Sequence, residues 1–468
     1  MPRPAMDNPT DATPLAPLRG PTPGGRWATL AQQAGFLVDP FGVVSGRFAR
    51  YGDLYRVQTR DGALFVARHP DHLRDVLVTH AAKYTKQHTA FRQIARVLGE
   101  GLLTSDGDDW QRQRRMVQPA FARSRMEGYA AAMVDEATRA VGGWRDGEVR
   151  ELSSDMMELT LRVVSRTLFG HDAGGDVNDV ARAMKDFQSL ASRPDLLPAW
   201  APSPWRRRLE RSVETLDRII HDIIAKRRAA GAAGEGDDLL QRLIDAVDEE
   251  GDGGGLTTRE MRDQLVTLFL AGHETTSHAL TWTLYLLSQH PEVEAKLHAE
   301  LDAVLGDRAP TLSDLDALPY TEQVLKESLR LYPPVYMVAR KAAEDTAIGG
   351  HAVPRGSEVV LWIYLTHRDP RWFPEHAAFK PERFAPEAEA ALPKHAWLPF
   401  GAGPRACIGR AFAMMEAKLL LAVMAQRYRL ALVPGHPVEV LPRVTLVPKH
   451  GMKMSAHARP RVTRPVGT

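Results

Sequence analysis

A mainly α fold with small β-sheets is what this sequence predicts, and three observations predict it. Between about residues 108 and 335, apolar side chains recur at helical spacing over long stretches. Short strand-like runs bounded by turns are confined to 54–67, 346–365 and 429–455. Hydrophobic residues make up 44% of the 468, enough to bury a large core.

The elements follow in chain order. Residues 1–30 read as a flexible leader: the first 25 hold seven prolines and no apolar run, so neither a signal peptide nor a membrane anchor is expected. Residues 31–468 read as a single domain. Leu54-Tyr55-Arg56-Val57 and Leu64-Phe65-Val66-Ala67 flank Asp61-Gly62, the pattern of a hairpin. The helical region is broken at 193–204 by Pro and Trp, and at 249–256 by an acidic Gly-rich loop. Thr257-Thr258-Arg259-Glu260 has capping-box spacing, with Thr at the N-cap and Glu at N3. The helix it opens runs to about Gln289, and Pro291 opens the next. Pro333-Pro334 closes the helix that carries Glu327 and Arg330. Arg410 to Arg427 reads as a helix with Phe412, Met415, Leu419 and Val423 on one face.

Charge excludes one class of partner. Sixty basic and 58 acidic side chains leave a formal charge of +2, so no global field argues for nucleic acid. A single cysteine, Cys407, rules out a disulfide within the chain, and low cysteine use fits a reducing, cytoplasmic setting.

That cysteine lies in Phe400-Gly401-Ala402-Gly403-Pro404-Arg405-Ala406-Cys407-Ile408-Gly409. Glycines at 401 and 403 let the backbone turn tightly and approach a flat ligand. The following helix places Cys407 near an N-terminus, where free N–H groups and the dipole favour a thiolate. Arg405 can reach an anionic group on the ligand. The bland reading of the cysteine alone is a buried thiol in a Gly-rich turn.

The whole run resembles the haem-ligand loop of the cytochrome P-450 family, Phe-x-x-Gly-x-Arg-x-Cys-x-Gly, with every fixed position filled. The resemblance covers roughly residues 35–455 and implies that family's fold. It implies haem b with Cys407 as the iron ligand and Phe400, Gly401 and Arg405 beside the macrocycle. Ala271-Gly272-His273-Glu274-Thr275-Thr276 resembles the family's oxygen-activation motif. There Ala271 and Gly272 would let haem and dioxygen press against the helix, Thr275 would hydrogen-bond the oxygen, and Glu274 would relay protons. The plain alternative is that Thr275 bonds to a carbonyl one turn back and Glu274 makes a core ion pair. His273 and His278 are expected to be hydrogen-bonded helix histidines without a catalytic role.

Further matches carry structural and cofactor roles. Trp110 and Arg114 resemble the family's Trp-x-x-x-Arg, and with Arg340 they would bind haem propionates, which suit arginine. Glu327 and Arg330, with Arg383 from Pro381-Glu382-Arg383-Phe384, resemble the triad that locks the cysteine loop. Apolar segments at Phe91–Leu103, 188–203, Leu268-Phe269 with Ala271, Val335–Val338 and Val444 match the family's substrate cavity. Arg112, Arg115, Lys394, Arg410 and Lys418 could make a basic face for an acidic partner.

The implied function is a soluble haem-thiolate monooxygenase without a membrane anchor. It would insert one oxygen atom of O2 into an apolar small molecule such as a fatty acid, terpene or polyketide. Hydroxylation is the default outcome. No flavin, nicotinamide or iron–sulfur signature follows residue 455, so electrons are expected from a separate ferredoxin or flavodoxin with its reductase. A peroxide-driven haem peroxygenase is one rival reading; a haem-binding lipid sensor without turnover is the other.

Overall fold

The longest helix runs through the middle of the molecule and is buried on nearly every side. A computed structural model describes residues 18–21, 35–36, 38–59, 62–88, 91, 95, 98–122, 125–169, 203–230, 238–248, 251 and 253–460. Asp61, most of the leader and most of the 188–203 segment lie outside the described residues. Within the leader, residues 18–21 run beside the first strand, where Arg56 N–H donates to the Arg19 carbonyl at 3.2 Å.

Among the described residues come first α1 (Pro40–Tyr51), β1 (Leu54–Thr59), β2 (Gly62–Ala67) and the two-residue β3 (Tyr84–Thr85). Then come α2 (Gly107–Val117), α3 (Met126–Gly142), β4 (Glu148–Glu151), α4 (Leu152–Phe169), α5 (Pro204–Ala230) and α6 (Leu239–Asp245). The central helix is α7 (Thr258–Gln289), followed by α8 (Pro291–Val304) and α9 (Pro319–Leu331). Four short strands, β5 (Val338–Ala342), β6 (Thr346–Ile348), β7 (His351–Val353) and β8 (Glu358–Leu361), lead to the cysteine loop and α10 (Arg410–Arg427). The described chain closes with β9 (Tyr428–Leu432), β10 (Val440–Pro442), β11 (Leu446–Pro448) and β12 (Lys453–Ala458).

Local chemistry explains the two helices that matter most. Thr257 accepts from Glu260 N–H at 3.2 Å, and the Glu260 carboxylate accepts from Thr257 N–H at 2.8 Å, so the capping box forms as read. From there α7 runs 32 residues, about 48 Å at 1.5 Å per residue. Its hydroxyls turn inward: Thr281 and Thr283 donate to the carbonyls of Ser277 and Ala279, each at 2.7 Å. Trp282, fully buried, donates to the Leu446 carbonyl at 3.1 Å and stacks on Tyr332 at 4.1 Å. α10 spans the residues the sequence predicts, and its apolar side packs with α3, α7, α8 and α9 in one core.

The main sheet has order β1-β2-β8-β5-β3, and the expected hairpin pairs Leu54 with Ala67 through to Thr59 with Gly62. A second sheet, β4-β12-β9, holds a strand the helical reading passes over. Glu148–Glu151 has no apolar alternation, and it becomes a strand through pairing with Lys453–Ala456 on β12.

Candidate active site

The turn from Phe400 to Gly409 is closed by its own backbone. Cys407 N–H donates to the Phe400 carbonyl at 2.9 Å, and Gly401 N–H donates to the Leu398 carbonyl at 3.1 Å. Gly401 and Gly403 lie in the left-handed region, at φ +69° and +68°, which glycine adopts without strain. Their surroundings differ. A Cβ on Gly403 would strike the Leu77 carbonyl oxygen at 1.9 Å, whereas one on Gly401 would meet nothing within 4 Å. Gly403 therefore seats the loop on its neighbour, and Gly401 leaves open space before it.

Cys407 is exposed, yet burial pushes its thiol above the usual range. The Gly409 N–H and the charges of Arg114 and Arg410 pull the other way and lose. The helix end alone thus does not secure the thiolate expected from sequence. A sulfur that is accessible but desolvated faces space enclosed by protein. A metal cation supplies what such a sulfur lacks, because ligation favours the deprotonated form.

Four cations gather beside this loop. Arg405 donates to the Asp106 carboxylate, and its guanidinium sits 3.9 Å from the Trp110 ring centroid. Arg114, one turn along α2, approaches the same ring at 5.7 Å and donates to the Ala406 carbonyl at 3.2 Å. Arg340 on β5 and Lys86 complete the group. Burial and the nearby charges of Arg340 and Arg405 press Lys86 well below its ordinary range, with Asp106 opposing. Burial lowers Arg340 and Arg405 to about 10, again against Asp106. One carboxylate among three guanidinium groups is a site short of negative charge, and Arg405 Nη1 is buried without a hydrogen-bond partner.

α7 opens at its middle. Ala271 is exposed and Thr275 half-buried, although the helix around them is packed. The Thr275 hydroxyl donates to the Ala271 carbonyl at 2.7 Å. Glu274 turns the other way: it is buried, accepts from the Thr445 hydroxyl at 2.6 Å and lies 3.8 Å from His278 Nε2. Burial works to raise its carboxyl, but His278 and Thr445 outweigh it and hold the group below the usual range. Both contacts match the plain alternative read from sequence. His273 is buried with Nδ1 2.8 Å from the Phe269 carbonyl, as expected of a hydrogen-bonded helix histidine. Gly272 has a separate reason to be small, since a Cβ there would meet Val164 of α4 at 2.9 Å. Its position thus serves helix packing, a role the motif reading did not assign. Leu268 and Phe269 likewise belong to the core under α4 to α6, not to open space.

Glu327, Arg330 and Arg383 do meet. The Glu327 carboxylate accepts from Arg330 at 2.6 and 2.7 Å and from Lys380 N–H at 2.9 Å, with Arg383 Nε at 3.4 Å. Arg330 also donates to the carbonyls of His367, His376 and Ala378 at 2.8 to 3.0 Å.

The basic face is thinner than the sequence suggests. Lys418 is buried and bonds Glu322 and the Leu315 carbonyl. Arg112 pairs with Glu260, and Arg115 with Asp248. Lys394 and Arg410 remain exposed. The sequence does not single out Lys86, Asp106 and Thr445, whose partners lie far along the chain, nor Glu416, which sits on a helix that the sequence does predict. Glu416, on α10, is buried, and Thr276 of α7 donates to it at 3.1 Å.

The residues present fit a haem. An accessible, desolvated sulfur offers an iron ligand, open space lies at Gly401, and a surplus of buried cations with an orphaned guanidinium nitrogen awaits carboxylates. Comparison with known proteins agrees. A family model of the cytochrome P-450s matches residues 21–454. Cyclooctatin synthase of Streptomyces melanosporofaciens is 38% identical over 85% of this chain and 87% of its own length. Pentalenene oxygenase of Streptomyces avermitilis is 31% identical over 95% and 97%. The haem domain of cytochrome P450DA superposes with a TM-score of 0.85 at 29% identity, covering 96% of this chain and 99% of its own. On its loop, its cation cluster and its fold, the chain belongs to the cytochrome P-450 family and is a haem-thiolate monooxygenase of that family.

Proposed function

We propose that this monooxygenase hydroxylates a terpene, using haem b and electrons from a separate ferredoxin or flavodoxin with its reductase. The carrying observation is the accessible Cys407 sulfur beside a cluster of buried arginines, and the opening of α7 at Ala271 and Thr275 supports it. Of the apolar classes the sequence admits, terpenes are favoured by two relatives whose names are cyclooctatin synthase and pentalenene oxygenase. Among the described residues no helix is long and apolar enough to cross a membrane, and a cytoplasmic location is part of the proposal.

Each residue has a task. Cys407 would hold the iron, with Phe400 and Gly401 beside the macrocycle. Arg405, Arg114 and Arg340 would bind the two propionates, with Trp110 keeping Arg405 and Arg114 aligned by their cation–π contacts. When bound, the haem supplies the activation of dioxygen, and its thiolate ligand favours O–O cleavage. Ala271 leaves room for dioxygen and substrate on the open face of α7. Thr275 Oγ1, released from the Ala271 carbonyl, presents a proton to the oxygen, and Glu274 replaces that proton from solvent.

The test is a spectral titration of the purified ferric protein with cyclic terpenes, fatty acids and macrolides. A blue shift of the Soret band with terpenes, followed by hydroxylated product in turnover, is the expected result. A shift confined to fatty acids or macrolides overturns the substrate class.

A further inference from the structure

Two buried donors on α7 lack an acceptor. Gln264 and Thr267 are 0% and 4% exposed, and neither Gln264 Nε2 nor Thr267 Oγ1 has a hydrogen-bond partner among the described residues. The other threonines toward the middle and end of the helix behave differently. Thr275, Thr281 and Thr283 each donate to the carbonyl one turn back at 2.7 Å, and Thr276 donates to Glu416. Thr267 does neither. The Gln264 amide is oriented by its other end: Oε1 accepts from Leu102 N–H at 3.0 Å, which leaves its NH2 group as the unused side.

The turn that covers the two residues keeps its carbonyls for itself. It lies so close to α7 that a Cβ on Gly101 would meet Thr267 Oγ1 and the Asp263 carbonyl, each at 2.5 Å. Glu100 N–H donates to the Asp263 carboxylate at 2.8 Å. The Gly99 carbonyl accepts from the Thr104 hydroxyl at 2.6 Å, and the Glu100 carbonyl from Gln113 at 2.9 Å. The Gly101 carbonyl accepts from the N–H groups of Thr104 and Ser105. An unpaired buried donor is costly, so two of them one turn apart point to a partner from outside the chain.

Their place on the helix says which partner. Gln264, Thr267, Ala271 and Thr275 fall at i, i+3, i+7 and i+11, one stripe of α7, and this stripe opens at Ala271 and Thr275. We propose that Gln264 and Thr267 are specificity-determining residues: together they donate to the oxygen of a substrate that already carries a hydroxyl or carbonyl group. The proposal rests on the reading of this enzyme as a terpene hydroxylase and narrows its substrate to an oxygenated terpenoid. One such oxygen has two lone pairs and accepts from both donors. The core under this end of α7 includes Leu98, Leu102, Leu265 and Leu268, and in so apolar a setting an analogue without the oxygen is rejected because it leaves both donors unmet. The eight-residue step from Thr267 to Thr275 spans about 12 Å of helix, so oxidation falls on the end of the substrate remote from the held oxygen.

The experiment titrates the purified ferric holoenzyme with abietadiene, abietadienol and abietadienal, which share one hydrocarbon skeleton, and reads dissociation constants from the Soret shift. The alcohol and the aldehyde should bind about tenfold tighter than the hydrocarbon. Thr267→Val, close in shape, should cut that preference to about threefold or less, Gln264→Met should do the same, and Thr267→Ser should keep it. The carbonyl stretch of bound abietadienal should lie below its value in alkane solvent in wild type and move back up in Thr267→Val. Equal binding of all three compounds by wild type, the result if the donors hold only a buried water, overturns the proposal; this comparison stands even where a variant fails to take up haem. An unchanged preference in both Thr267→Val and Gln264→Met overturns it too. No Soret shift with any of the three overturns the terpene reading itself, so the two failures are told apart.

Discussion

His367 Nε2 accepts a hydrogen bond from Leu398 N–H at 2.8 Å, while the His367 carbonyl accepts one from Arg330 at 2.9 Å. One histidine thus joins the buried Glu327–Arg330 pair to the start of the loop that carries Cys407. Trp397 adds a second tie, donating to the Lys326 carbonyl at 3.2 Å. An accepting Nε2 requires the neutral imidazole. Burial, reinforced by the Arg330 charge, brings its pKa to about 3 from an ordinary 6.5.

Acid should therefore loosen the cysteine loop first. Above pH 6.5 neither folded nor unfolded His367 carries the extra proton. As pH falls from 6.5 toward 3 the unfolded chain takes one up and the fold refuses it, so stability drops across that window. Haem loss followed at the Soret band should accelerate on acidification. His367→Gln, which can still accept from Leu398, should lose haem less steeply with pH. Parallel curves for the two proteins would remove His367 as the cause.

Breaking the triad should be worse than weakening it. Glu327→Gln leaves Arg330, fully buried, without its counter-charge and should cost about 3–5 kcal/mol. Arg383 meets the glutamate only at 3.4 Å and keeps a bond to the Glu375 carbonyl, so Arg383→Gln should cost less. Denaturant midpoints of the apoproteins give the ranking, and an equal loss in both would contradict it.

What could be read from the chain follows how local each determinant is. The capping box at Thr257 and Glu260, the span of α10 and the Glu327–Arg330 pair are set by residues within one or two turns, and all three are found as read. Gly401 was legible for the same reason. Lys86, Asp106 and His367 were not, because their partners lie 17 to 299 residues away. Lys418 was misread as surface charge: it sits on a helix buried on most sides, and only tertiary packing brings Glu322 and the Leu315 carbonyl to its Nζ.

Arg405→Ala should weaken haem retention without unfolding the protein. It deletes a guanidinium stacked at 3.9 Å on Trp110, with one free buried nitrogen to offer a propionate. A charge-assisted bond is worth about 1.5–3 kcal/mol, so haem transfer to excess apomyoglobin should speed up by roughly tenfold or more. Unchanged transfer would place the propionates elsewhere.

Thr275→Ala should separate dioxygen consumption from product. The hydroxyl is half-buried on the open face of α7 and bonds only to its own helix, so its loss costs the fold little. Product per dioxygen should fall about tenfold or more, with peroxide rising to match. Full coupling in the variant would leave Thr275 as a helix residue only.

Glu416 makes the opposite pH prediction from His367. It is 1% exposed on α10, its Oε2 accepts from Thr276 at 3.1 Å, and its Oε1 has no partner. Burial pushes the carboxyl up to about 8 from 4.5, and the Thr276 bond offsets only part of that. The acid is therefore neutral in the fold at pH 7, bridging the helix of Thr275 and the helix behind Cys407. Below about pH 4.5 both folded and unfolded chains hold this proton. Between 4.5 and 8 the unfolded chain releases it and the folded one keeps it, so stability falls as pH rises and levels off above 8. Glu416→Gln keeps the shape and the acceptor for Thr276 but cannot titrate. The variant's melting temperature should gain on wild type steadily from pH 5 to pH 8. A constant difference across that range would mean that Glu416 is already ionised where α7 and α10 meet.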